Sequence, residues 1–156
     1  MANTGTHILR VALHHEPSVY REIEVDSGRS LYRLAEAIVR AFDFDFDHAF
    51  GFYSGRTERT LMTAQPKYEL FADMSKNALG ETSDAFSVKE TRIADAFPRV
   101  DHAMTFLFDY GDEWLFRVEV IGLGEKVAKV RYPKVLKKAG TAPEQYPDPD
   151  EGEEGE

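Results

Sequence analysis

Cysteine is missing from all 156 residues, which excludes a disulfide framework, a zinc ribbon, an iron–sulfur cluster and a thiol nucleophile, and leaves nothing to argue for an oxidising compartment. Long apolar runs are missing too: no stretch approaches the roughly 18 residues that a membrane span requires, and the first residues, Met1 to His7, carry neither a basic nor an apolar leader region. A cytoplasmic protein without membrane contact is the expectation. Nor is there a Gly-x-Ser-x-Gly elbow, a Walker loop or a metalloprotease histidine pair, so the hydrolases and nucleotidases most easily read from sequence are set aside. What is present is a 42% apolar composition with 11 Phe, 7 Tyr and 1 Trp, enough to fill the core of one ordinary domain.

The net charge of −9 is unevenly placed: residues 1–125 carry −8, residues 126–143 carry +6, and residues 144–156 carry −7. The acidic end, interrupted by Pro147 and Pro149, cannot bury enough apolar surface to order itself. It is expected to be a disordered tail over 147–156 behind a single domain over 1–146. The basic run holds Lys126, Lys129, Arg131, Lys134, Lys137 and Lys138. It reads either as a strip for nucleic acid or an acidic partner, or as an edge strand blunted by lysines. The acidity of the rest of the chain disfavours a general nucleic-acid binder.

Period-two alternation marks strands at His7–His14 and Val19–Val25, which form a hairpin around His14-His15-Glu16-Pro17-Ser18. Ser30 is a candidate N-cap for a helix of about 12 residues whose Leu31, Leu34, Ala35, Ile38 and Phe42 recur at helical spacing. A short strand follows at His48–Tyr53. The region 54–90 is a long excursion in which Tyr68–Phe71 could pair at an edge. Thr91 then reads as the cap of a short helix ended by Pro98. Met104–Phe108 and Trp114–Ile121 form a second hairpin, and Gly122-Leu123-Gly124 turns the chain into one more strand over Val127–Tyr132. This order predicts an α+β fold, an α/β roll resembling a β-grasp. Its sheet is mixed and largely antiparallel, with one main helix on one face, a short second helix and a C-terminal hairpin.

Chemistry-bearing patterns are few. Asp43, Asp45 and Asp47 alternate as calcium ligands do, but His48 and Ser54 stand where an EF-hand loop needs Gly and Glu. Gly122-Leu123-Gly124 lacks the third glycine of a dinucleotide fingerprint. Asp109 and Asp112 bracket Tyr110-Gly111 close to Trp114. With His48 these residues are the candidate binding group, either a polar pocket at the end of the sheet or, on the plainer reading, turn-formers beside a core anchor. His14 and His15 are assigned no role. No metal or cofactor is expected.

The stretch Phe106-Leu107-Phe108-Asp109-Tyr110-Gly111-Asp112-Glu113-Trp114, with Val118-Glu119-Val120 and Arg131-Tyr132-Pro133 behind it, resembles the signature of the plasmid pRiA4b ORF-3-like family. Thr91-Arg92-Ile93-Ala94-Asp95 and Phe44–Phe52 are similar to its upstream segments. The resemblance spans about Ile8 to Pro149. It implies an α+β roll in a family of unestablished function, some of whose members are labelled transposon passenger or resolvase-like proteins without a resolvase serine motif. Phe50 and Phe116 stand where members often carry His, and residues 137–144 lack the family's cysteines, which weakens any His-rich metal site in this chain. The resulting expectation is a non-enzymatic binding or interaction module with a protein partner, whose contact surface is the exposed face of the first helix, the 54–90 excursion and the end of the Asp109 hairpin. The alternatives are a mobile-element accessory protein handling nucleic acid, or a metal-assisted hydrolase at Asp109, Asp112 and His48.

Overall fold

The alternation of Leu9, Val11 and Leu13 with polar neighbours produces the first strand, β1 (Gly5–Leu13), and the same pattern in Ile23 and Val25 gives its antiparallel partner β2 (Tyr20–Asp26). The computed structural model describes residues 5–57, 59–61, 63–70 and 85–146. The helix α1 (Leu31–Ala41) begins where expected, the Ser30 hydroxyl accepting the Arg33 N–H at 3.2 Å. Two further N–H groups of its first turn, at Leu31 and Tyr32, donate to the carbonyls of Thr91 and Val88. Its stop is less conventional. Asp43 adopts φ 62°, the Asp43 N–H returns to the Arg40 carbonyl and the Phe44 N–H to the Val39 carbonyl, a Schellman ending with aspartate where glycine is usual.

The remaining elements are β3 (Phe50–Tyr53), β4 (Lys67–Glu69), β5 (Phe86–Ser87), α2 (Ile93–Ala96), β6 (Ala103–Phe108), β7 (Trp114–Glu125) and β8 (Lys134–Ala139). They form one eight-stranded sheet in the order β5-β4-β3-β6-β7-β1-β2-β8, in which only β4 and β5 run parallel. The α+β class, the largely antiparallel sheet with one main helix and the β6–β7 hairpin are as the sequence predicts. The closer likeness to a β-grasp finds no support in this order, since β1 has antiparallel neighbours on both sides.

Burial divides the sheet into two faces. Leu31, Leu34, Ala35, Ile38 and Val39 of α1 pack with Leu9, Val11, Ile23, Phe50, Phe52, Phe106, Phe108, Phe116 and Val118 into the main core, and each large side chain removed from water there contributes roughly 1.5–3 kcal/mol. On the opposite face Tyr53, Leu61, Leu107 and Leu115 form a smaller cluster. The Tyr53 hydroxyl donates to Glu69 and contacts the Tyr110 hydroxyl at 2.7 Å. Burial, with these partners, pushes the Tyr53 phenol well above its usual range, while burial and the Glu69 charge, against the opposing hydrogen bond with Tyr53, push Tyr110 up to about 12.

Three local expectations are corrected. Gly122-Leu123-Gly124 does not turn the chain but continues β7, where a Cβ on Gly124 would stand 2.8 Å from the Thr6 hydroxyl of β1. Val127–Tyr132 is therefore a connection rather than a strand, and the last strand is Lys134–Ala139, paired with β2. Thr91 does not cap α2: the N-cap is Arg92, and the Thr91 hydroxyl donates to the Ser87 carbonyl. The acidic segment 147–156 and residues 71–84 of the excursion lie outside the described residues.

Candidate functional site

The β6–β7 hairpin end collects the predicted group. Asp109, buried and at φ 66°, uses Oδ1 to accept the N–H groups of Gly111 and Asp112 at 3.1 and 3.3 Å. Its Oδ2 lies 3.3 Å from Nε2 of His48, whose ring also meets Asp47 Oδ1 at 3.6 Å. Asp109 is thus both turn-former and histidine partner. Asp112 corrects the reading that both carboxylates hold the turn, because it takes part through its backbone N–H while its exposed side chain forms no hydrogen bond among the described residues. Trp114 packs edge-on against Phe44 with ring centroids 4.9 Å apart, and its buried Nε1 has no hydrogen-bond partner among the described residues.

Two members of this cluster escaped the sequence reading. The Tyr146 hydroxyl donates to Asp47, so His48 Nε2–H donates to the tyrosine oxygen. Partial desolvation, the hydrogen bond to Asp47 and the charges of Asp47, Asp109 and Asp112 push the half-exposed Tyr146 up to about 12. Gln145 is buried and clasps the same loop: its amide oxygen accepts the Asp45 N–H at 2.7 Å, and its amide nitrogen donates to the Asp45 carbonyl and Asp47 Oδ1. Residues about 100 positions apart meet here, a proximity that no local spacing encodes. Among the described residues no three His, Asp or Glu side chains converge closely enough to hold a metal ion. The polar groups are engaged with one another, which suits a structural lock.

The basic run has a different setting. Lys126 donates to Asp26 Oδ2 at 3.0 Å, and Lys137 lies over the Tyr20 ring. Lys134 and Lys138 are exposed on β8, and Lys129, at φ 69°, and Arg131 sit in the connection before it. Asp26 is held below the usual carboxylate range: burial opposes ionisation but is outweighed by the Gly28 N–H, Lys126 and Arg29.

Beside this connection the solvent-facing side of α1 borders a concavity of about 380 Å³, which the sequence reading did not find. Val25, Leu34, Ala37 and Ile93 line it, Tyr132 and Pro133 close one side, and Arg29, Arg33 and Arg40 stand at its mouth. Asp26, Arg29 and Tyr132 are shared with an adjoining hollow that adds Lys126 and Arg131. Together the two hold five basic side chains against two acidic ones, Asp26 and Glu36. Arg33 and Arg40 both reach Glu36 at 3.2 Å, leaving these guanidinium groups more than half exposed. The sequence reading puts the contact surface partly on the exposed face of α1, where helical spacing places Arg33, Glu36 and Arg40, but gives no sign of the hollow beside it.

Fold and site together define an α+β protein with a helix-bordered basic concavity on one side of its sheet and a histidine–carboxylate lock at one end. The chain belongs to the plasmid pRiA4b ORF-3-like family, whose model matches residues 6–148. Among solved structures it is similar to a protein of unknown function from Methanosarcina mazei Go1, with a TM-score of 0.67, 19% identity, and 86% of this chain and 69% of that chain covered. That likeness shows the fold. No curated protein sequence matches the chain. No helix among the described residues is long and apolar enough to cross a membrane.

Proposed function

We propose that this chain is a non-enzymatic binding module that takes an acidic segment of a protein partner in the concavity beside α1. One observation carries the reading: five basic side chains against two acidic ones surround an apolar floor, in a chain whose net charge is −9. A mixed apolar and cationic hollow rewards a ligand that buries side chains and brings carboxylates to the arginine forks. The groups suited to proton transfer are meanwhile committed elsewhere, Asp109 to its turn and His48 to Tyr146 and Asp109.

Fluorescence anisotropy with a labelled peptide alternating glutamate and leucine tests this. The expected result is saturable binding that weakens with salt, and that Arg33→Glu combined with Arg40→Glu weakens about tenfold, a change of about 1.4 kcal/mol, with only a small fall in melting temperature from the lost pairs with Glu36. No saturable binding, or binding indifferent to the charge reversal, contradicts the proposal. Tighter binding of duplex DNA than of the peptide would favour the nucleic-acid reading instead.

A further inference from the structure

The sheet ends on β8, a six-residue strand paired on one side with β2 and, among the described residues, with nothing on the other. We infer that this open edge receives an extended acidic segment as an added strand. The inference rests on the acidic-partner reading above and specifies how such a partner docks.

An edge strand presents a row of unpaired N–H and C=O groups that any extended chain can complete. The opposite edge, β5, has only two residues to offer. Five of the six residues of β8 are exposed, including Val135 and Leu136 at 42% and 43%, so added side chains would find apolar as well as polar neighbours. Its charged residues are Lys134, Lys137 and Lys138, with no carboxylate among them, and neither Lys134 nor Lys138 forms an ion pair among the described residues. These lysines select the occupant. A second copy adding at the same edge would set lysine against lysine, which is destabilising. A strand carrying glutamates or aspartates places opposite charges across each pair. The residues immediately before β8, Tyr132 and Pro133, line the concavity beside α1, so the edge and the hollow are adjacent parts of one surface.

The probe is a short peptide alternating glutamate and valine, compared by anisotropy and isothermal titration with two versions N-methylated along one or the other backbone edge, which blocks strand pairing but keeps the charge. The unmodified peptide is expected to bind. Methylation of the pairing edge should weaken it at least about tenfold, methylation of the other edge should leave it unchanged, and Lys134→Glu with Lys138→Glu should abolish binding in a chain that still folds, with a small fall in melting temperature because residue 134 lies opposite Glu24 of β2. Binding that survives both methylations but is lost with Arg33→Glu overturns strand addition and leaves the concavity reading intact. No binding of any acidic peptide overturns both. Binding seen only when the chain is cut after Tyr146 would assign the edge to the protein's own C-terminal segment and overturn an external partner. Concentration-dependent dimerisation of the wild-type chain that competes with the peptide would likewise overturn it in favour of a second copy.

Discussion

Asp109 concentrates the chemistry of the hairpin end in one side chain, with one oxygen on the turn and the other toward His48. Asn keeps a turn acceptor and tolerates positive φ, whereas Ala loses the acceptor and is strained there. Urea denaturation should therefore place Asp109→Asn within about 1 kcal/mol of wild type and Asp109→Ala roughly 2–3 kcal/mol below it. Equal losses would mean that the His48 contact, rather than the turn, is what Asp109 supplies. Asp26 gives a pH signature. Its folded pKa lies below the unfolded value of about 3.9, so its stabilising contribution is present above that value and is lost as pH falls through the folded pKa. Replacing Lys126 with Met should shrink the acid loss of the urea midpoint. An unchanged acid limb would mean that the Lys126–Asp26 pair contributes nothing measurable. At this scale the sequence marked His48, Asp109, Asp112 and Trp114 as a group, but hid Tyr146 and Gln145, because the contact is long-range and neither residue carries a motif.

Among the elements, α1 was legible at its start and along its buried face, because Ser30 and the apolar spacing are local signals. Its end was legible to within a residue, but the form of that ending was not, since aspartate holds the left-handed position that glycine usually takes. Asp43→Gly should then raise stability by up to about 1 kcal/mol, read as a higher urea midpoint with unchanged slope. A loss would show that the Asp43 carboxylate has a role the ending does not require. The strand boundaries after β7 were misplaced for a related reason: glycines that resemble a turn are there because β1 passes close to Gly124. The C-terminal clasp gives a sharper contrast. Deleting residues 147–156 is expected to leave the melting temperature nearly unchanged. Extending the deletion to Gln145 removes three hydrogen bonds to the Asp45–Asp47 loop, for a loss of about 1–3 kcal/mol. Equal melting temperatures for the two truncations would leave the clasp without energetic weight.

Across the whole molecule, strand periodicity and the aromatic content announced an α+β sheet with one main helix, and the family signature led to the right relatives. The strand order and the concavity did not follow from them, because both depend on how segments far apart in sequence meet: Val25, Leu34, Ile93 and Tyr132 come from four separate parts of the chain. Charge shows the same limit. The sequence located six cations between residues 126 and 143, yet the arginines that complete the basic surface belong to α1 and the turn before it. A titration of the isotope-labelled full chain with the glutamate–leucine peptide, followed by amide chemical shifts, tests the claim most directly. The account predicts that the shifts concentrate at Arg29, Arg33, Leu34, Ala37 and the residues from Tyr132 through β8. Shifts confined to the His48, Asp109 and Tyr146 end of the sheet, or none at saturating peptide, would contradict it.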